Sequence, residues 1–267
     1  MAVAGLRHPK RPIVPAERRR LILELLREHG SISVADVEER FGVSPMTARR
    51  DLALLAESGQ ARRTHGGAML PELAAHEDSF QIRMEQNADI KSRLARAVAE
   101  TVAPHETIFI DSSSSAYFVI REVIELGTPL TVLTNSQPVM ALIGAAAVPQ
   151  IELVGIGGSY RKLTRSFVGA DAVRAIERFF VDRIVFSVKG IEGDGSLTDP
   201  DPLEAEVKRA MIARARSVVL VAQSHKFGER GLNVIVPAAN VNTAFLSDPP
   251  RDGIRLLESA GVDVIAV

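Results

Sequence analysis

In the stretch SPMTARRDL, residues 44–52, a Ser-Pro pair precedes Thr47 and two adjacent guanidinium groups, Arg49 and Arg50. Each guanidinium presents a planar fork of N–H donors that matches the major-groove edge of guanine or the oxygens of a phosphate. Arg62, Arg63, Thr64 and His65 form a second basic run just before Gly66–Gly67. His65 has no Cys or other His near it in sequence, so a turn or a phosphate contact suits it better than metal ligation. DSSSS, residues 111–115, offers a different chemistry: one carboxylate and four hydroxyls where an apolar run meets a helical one. Free backbone N–H groups at such a helix start can cradle an anion, a phosphate above all. A serine-rich turn with an ordinary N-cap would have the same sequence.

These groups need elements to position them. AERRRLILELLREHG, after Pro15, has helical spacing, with Leu21, Leu25 and Leu26 expected on the inner face and Gly30 as the stop. Ser33 is expected to cap a second helix, with Asp36 three residues on and Ala35, Val37 and Phe41 turned inward as far as Gly42. A third helix is predicted from about Pro45 to Ser58, with Ala48, Leu52 and Leu55 inward. Short helices joined by a tight Gly-containing turn make a helix-turn-helix, whose second helix enters the DNA major groove N-terminus first. Ser44, Thr47, Arg49 and Arg50 fall in that leading section. The arginines could instead face water, or pair with Asp51 and Glu57. GQARRTHGGAML then reads as a hairpin turning at Gly66–Gly67, a wing whose arginines can reach phosphates or the minor groove. The candidate DNA contacts are therefore Ser33, Ser44, Thr47, Arg49, Arg50, Arg62, Arg63, Thr64 and His65.

Beyond a polar stretch at 71–88, short apolar runs alternate with helical ones. Strands are predicted at 107–110, 130–134, 151–158, 183–188, 217–222, 243–247 and 262–267, which argues for an α/β domain with a mostly parallel sheet covered on both faces. Ligands of such sheets sit beyond the carboxyl ends of the strands. The residues there are Asp111, Ser112, Ser113, Ser114 and Ser115, then Asn135 and Ser136, Gly157 and Gly158, Lys189, and Lys226 in QSHKFG; Lys208 lies on a following helix. Small residues, hydroxyls and lysines converge as a sugar-phosphate pocket requires. Glu204 and Glu206 can supply a carboxylate, although solvation on a helix surface is the simpler role for both.

Composition bounds these readings. The chain has 267 residues, 46% hydrophobic and 24% charged, with no cysteine, which removes disulfides and thiolate metal sites. The start MAVAGLRHPKRP lacks the apolar core of a secretory signal, and no apolar run has the length of a membrane span. A soluble, cytoplasmic protein with no membrane partner is expected. The net charge of −1 hides an asymmetry: residues 1–70 hold 12 Lys and Arg against 8 Asp and Glu, and residues 71–267 hold 20 against 25. A basic head on an acidic body fits a nucleic-acid reader joined to a domain with another task.

The first seventy residues resemble the winged helix-turn-helix of DeoR-family bacterial transcriptional regulators, most distinctively in T-x-R-R-D-L and R-x-H-G-G-A. DSSSS, TNS, GG, SFVGADA, KGIEGDGSLTDPDPLEAEVKRAMI and SHKFG, over about residues 77–247, resemble that family's sensor domain. The resemblance implies a fold like ribose-5-phosphate isomerase, a phosphorylated sugar or polyol as effector, a double-stranded DNA operator, and a homodimer or homotetramer. It implies no cofactor and no metal. Several positions depart from the family pattern: Met46–Thr47–Ala48 replaces a bulkier lead-in, Ser112 to Ser115 stand where Gly and Thr are usual, Lys189 where Asn is commoner, and Gln223 where Asp is usual. The similar isomerases carry an Asp-Gly-Ala-Asp type motif whose acidic positions fall here on Phe186 and Lys189, or one residue on, Ser187 and Gly190. Proton transfer between carbons needs such a base, so a non-enzymatic regulator, a repressor of carbohydrate metabolism, is expected. The alternative is an isomerase-like enzyme fused to a DNA-binding domain. The expected organisation is a tail at 1–15, the winged helix-turn-helix at 16–70, a linker at 71–88, and at 89–267 an effector domain with Asp111–Ser115, Asn135, Ser136, Gly157, Gly158, Lys189, Glu204, Lys208 and Lys226 as its site.

Overall fold

The structure is a computed structural model that describes residues 14–29, 31–58, 60–64, 66–69, 78–146 and 148–267. It forms two compact units, one within residues 1–77 and the other within 78–267. His65, Gly30, most of the expected tail and the first part of the expected linker lie outside the described residues.

In the first unit the order is α1 (Pro15–His29), β1 (Ser31–Ser33), α2 (Val34–Phe41), α3 (Pro45–Glu57), β2 (Arg62–Arg63) and β3 (Gly67–Met69). Ile22, Leu26, Val37, Ala48, Leu52 and Leu55 make its core. The expected inner face of α1 is corrected by one position. Ile22, Leu23 and Leu26 are buried, while Leu21 and Leu25 are only half-buried. The apolar stripe 21–26 is broad enough to allow either rotation. Arg18, one turn before Ile22 on the same face, is itself buried and paired with Asp51 of α3 at 2.6 Å, which selects the observed one. Ala35 is likewise exposed rather than inward, leaving Val37 as the buried residue of α2.

The hairpin is a wing with a third strand that the sequence does not announce. The order is β1-β3-β2, antiparallel, with Ile32 opposite Ala68 and Ser33 opposite Gly67. Gly67 permits this pairing: a Cβ there would lie 2.0 Å from the Ile32 carbonyl oxygen.

The second unit opens with α4 (Phe80–Glu85) and α5 (Ala88–Ala99). Residues 78–88, expected as linker, pack into this unit: Phe80 is buried and its N–H donates to the Leu163 carbonyl at 2.8 Å. Then follow β4 (Thr107–Ile110), α6 (Ser114–Leu126), β5 (Leu130–Thr134), α7 (Gln137–Ala145), β6 (Ile151–Gly155), β7 (Ser159–Arg161), β8 (Ser166–Val168), α8 (Ala170–Ile176) and β9 (Val181–Phe186). The remainder is β10 (Gly190–Ile191), β11 (Ser196–Asp199), α9 (Pro202–Ala213), β12 (Ala215–Gln223), β13 (Asn233–Pro237), β14 (Thr243–Ser247), α10 (Arg251–Ser259) and β15 (Asp263–Ala266). Seven strands form a parallel sheet in the order β15-β14-β12-β9-β4-β5-β6, with an apolar cluster on each face. A β10-β11-β13 antiparallel sheet and a β7-β8 hairpin are further elements not read from sequence.

The chain runs β4, β5, β6 to one side, then returns to place β9 against the other side of β4. Between β4 and β9 the direction of winding reverses, and in open parallel sheets that crevice is where ligands bind.

The close approach at Gly67 generates a test. Gly67→Ala forces a methyl group against backbone that cannot rotate away. It should lower the stability of the first unit by roughly 1–3 kcal/mol, read as an earlier calorimetric transition for that unit with the second unit's transition unmoved.

Candidate nucleic-acid interface and anion pocket

Helix α3 starts at Ser44, whose side chain accepts from the Thr47 N–H at 3.3 Å and lies 2.9 Å from the Thr47 hydroxyl, with Pro45 in the first turn. Ser44, Met46, Arg49 and Arg50 are exposed and Thr47 half-buried, while Ala48, Asp51, Leu52 and Leu55 face the core. The alternative pairing of the arginines with Asp51 is not formed. That carboxylate is buried and taken by Arg18 at 2.6 Å and Arg19 at 3.5 Å. Arg49 and Arg50 make no ion pair among the described residues, so both guanidinium groups present their donors to solvent.

Arg63 is exposed on β2 and Thr64 half-buried after it; Arg62 is also on β2, and its side chain is outside the description, as is His65. Ser33 has a different task. Its hydroxyl donates to Asp36 at 2.6 Å and accepts from the Asp36 N–H at 3.0 Å, a capping box for α2. These hydrogen bonds hold the Asp36 carboxyl below its usual range.

In the second unit the site grows from buried polar groups at the β4–β9 crevice. Asp111, directly after β4, accepts from the N–H and hydroxyl of Ser113 and from the Ser187 N–H at 3.3 Å, just past β9. Lys208 on α9 donates to Asp199 at 2.6 Å and to the Ser187 carbonyl at 2.9 Å, and lies 3.5 Å from Asp111. Burial opposes the charge of Lys208, but Asp199 and Asp111 outweigh it and hold the ammonium above the usual lysine pKa. Glu204 is corrected from a surface role: it is 2% exposed, accepting from Ser112 at 2.8 Å and Ser166 at 2.5 Å. Arg161 lies 3.8 Å from Glu204 and 3.1 Å from Asp201. Glu206 is exposed, as expected.

Asp111, Ser112, Ser113, Glu204 and Lys208 are thus brought together. Two roles divide the serines. Ser112 and Ser113 hold the loop, Ser113 as the N-cap of α6. The N–H groups and hydroxyls of Ser114 and Ser115, in the first turn of α6, have no hydrogen-bond partner among the described residues. Unclaimed N–H groups at a helix start are the kind of group that can take an anion.

The other expected residues sit less directly. Asn135 donates to the Phe167 carbonyl at 3.0 Å while its Oδ1 is buried without a partner, and Ser136 caps α7. Gly157 is exposed. Gly158 (φ 155°) is needed for packing, since a Cβ would lie 2.7 Å from the Val168 carbonyl oxygen. Lys189 pairs with Glu229 at 2.8 Å. Lys226 is half-buried and forms no ion pair among the described residues; burial, with Lys189 beside it, brings its pKa down to about 8. The sequence reading missed Asp199, Ser166, Arg161, Arg83 and Lys91. Only Asp199 and Asp201 left a readable signal, as Asp-Pro pairs ahead of a helix.

An exposed guanidinium pair on the leading turns of a winged helix-turn-helix is the arrangement of a DNA-binding transcriptional regulator, and the buried carboxylates Asp111 and Glu204 of the second unit are engaged in holding loops. Residues 18–73 match the DeoR-like helix-turn-helix domain and residues 86–248 the DeoR C terminal sensor domain. The chain belongs to the DeoR family. It is 31% identical to the glycerol-3-phosphate regulon repressor of Escherichia coli strain K12, covering 88% of this chain and 91% of that one. It is 32% identical to the HTH-type transcriptional regulator GlpR of Haloferax volcanii, covering 95% and 98%, and 30% identical to the HTH-type transcriptional regulator IolR of Bacillus subtilis, covering 86% and 90%. Among solved structures, ribose 5-phosphate isomerase A of Methanocaldococcus jannaschii matches 53% of this chain and 55% of its own, at 16% identity and a TM-score of 0.39. Translation initiation factor eIF-2B of Pyrococcus horikoshii OT3 matches 87% and 82%, at 15% identity and a TM-score of 0.41. No described helix is long and apolar enough to cross a membrane.

Replacing both Arg49 and Arg50 by Ala should weaken binding to the duplex upstream of the protein's own gene by about 2–6 kcal/mol. Both side chains are exposed, so the stability should change by less than about 0.5 kcal/mol. Fluorescence anisotropy and calorimetry measure the two; an equal loss of stability would make the pair structural.

Proposed function

We infer that this chain is a repressor of carbohydrate genes whose hold on its operator is released by a phosphorylated sugar or polyol at the strand-end crevice. In this reading Arg49 and Arg50, with Ser44 and Thr47, meet base edges and phosphates from α3, and Arg62, Arg63, Thr64 and His65 steady the wing on the backbone. Ser33 acts by fixing α2. The chain works in the cytoplasm as a homodimer or homotetramer, because one head offers too few contacts and two half-sites at a fixed spacing convert the second contact into an intramolecular one.

The observation that carries the effector reading is the pair of unclaimed N–H groups of Ser114 and Ser115, beside a crevice whose carboxylates are already bound and whose lysines are not all paired. A phosphate monoester supplies the missing acceptors and the missing negative charge. Gly157, Asn135 and Ser136 lie on neighbouring strand ends where the sugar hydroxyls would reach. The name of one relative, a glycerol-3-phosphate regulon repressor, agrees with this chemistry. Since an effector can shift an equilibrium only by its differential affinity, the ester must bind the DNA-released state better than the DNA-bound one.

Glycerol 3-phosphate, ribose 5-phosphate and fructose 6-phosphate, each beside its unphosphorylated parent, provide the test. One ester should raise the melting temperature and weaken operator affinity roughly 5- to 150-fold, the span of ordinary coupling energies, while its parent does neither. If no phosphate ester of a wide panel alters either quantity, the chain is a constitutive DNA-binding protein and the effector reading is wrong.

A further inference from the structure

The segment that follows residue 77, where the first unit ends, is held to the second unit, in part at a strand end. The Phe80 N–H donates to the Leu163 carbonyl at 2.8 Å, and its ring meets Tyr117 of α6 edge-on at 5.8 Å. Asn87, at a left-handed φ of 49°, donates to Gln223 Oε1 at 2.8 Å, at the carboxyl end of β12. Lys91 is buried and donates to the carbonyls of Gln86, at 2.6 Å, and of Arg83.

Between these fastenings the charge is uncompensated. Arg83 has its Nε and one Nη buried without a hydrogen-bond partner among the described residues. Its guanidinium carbon lies 5.9 Å from the centre of the Phe80 ring, and it forms no ion pair among the described residues. Among the described residues the Lys91 ammonium is hydrogen-bonded to neutral carbonyls and to no carboxylate. Burial, with Arg83 beside it, lowers its pKa to about 8. Lys226 feels both Arg83 and Lys189, and Glu229, the carboxylate that faces it among the described residues, is already bonded to Lys189. Lysines can relieve such crowding by losing a proton. A guanidinium cannot, so the half-buried Arg83 keeps its charge, with two buried nitrogens on one edge that have no partner among the described residues.

We propose that Arg83, carried on α4 with Lys91 behind it, grips the anionic group of the effector, so that the segment leaving the DNA-binding unit is itself part of the ligand site. The inference rests on the effector reading above and adds to it the residues and the route. A phosphate monoester fits better than a carboxylate, because its two charges answer several unpaired cations and its oxygens match the parallel Nε–H and Nη–H donors. The consequence is mechanical: an anion that closes on Arg83 draws in α4, whose first residue lies three positions beyond residue 77.

The probe is inorganic phosphate, titrated into the full-length chain while amide hydrogen exchange is followed peptide by peptide. Phosphate should slow exchange across residues 80–91. Arg83→Gln should weaken that protection roughly tenfold to a hundredfold, as loss of a charge-assisted pair does, without lowering the melting temperature of the phosphate-free protein. Arg83→Lys keeps the charge and loses the fork, and should fall between; it decides the matter if Arg83→Gln does not fold. Unchanged phosphate affinity in the folded variants, or no protection of 80–91 in the wild type, overturns the proposal. Protection at 80–91 in a protein whose operator affinity no sugar phosphate alters would uphold the anion site at Arg83 and overturn the effector reading instead.

Discussion

A single buried ammonium organises the second unit. Lys208 sits among Asp199, Asp111 and the Ser187 carbonyl, so one side chain of α9 ties together the ends of β4, β9 and β11. In a medium of low polarity none of these groups is tolerable without the others, and breaking the set would leave an unpaired charge. Because Asp111 is held there, Ser113 is held by Asp111, and α6 begins where it does. Ser112 is held in turn by Glu204, which also gathers Ser166 from β8. The N–H groups of Ser114 and Ser115 are what this arrangement leaves without a partner among the described residues.

The same bookkeeping of charge separates structure from function in both units. Asp51 is buried and consumes Arg18 and Arg19, which sets the rotation of α1 and leaves the neighbouring Arg49 and Arg50 facing solvent. In the second unit Lys208 is compensated, Lys189 is paired with Glu229, and Arg83, Lys91 and Lys226 pair with no carboxylate among the described residues. Cations with partners hold the fold. Cations without them are where an anion, on a nucleic acid or on a small molecule, has something to gain.

Much of this was legible in the chain. The leading helices of the first unit, the seven parallel strands and the junction at DSSSS follow from periods of 3.6 and 2 and from turn residues, all local properties. The α1 face was misplaced because five apolar residues within 21–26 leave the rotation open, and a contact 33 residues away settles it. The β1 strand was missed because three residues carry no period, and it exists only through its pairing with β3. Residues 78–88 have linker composition, yet Phe80 finds a buried place against Tyr117.

The sequence by itself determined the order of elements, the basic reading helix and the family resemblance, because each is written in neighbouring residues. The tertiary structure decided which charged groups are spent and which are free. Glu204 reads as a surface residue of a helix and is buried, since its partners Ser112 and Ser166 are 92 and 38 residues away. Arg83 reads as part of a linker and has its donors buried beside the crevice. Pairing of charges depends on distance in space, and that distance is set by the sheet that brings β4, β9 and β12 side by side.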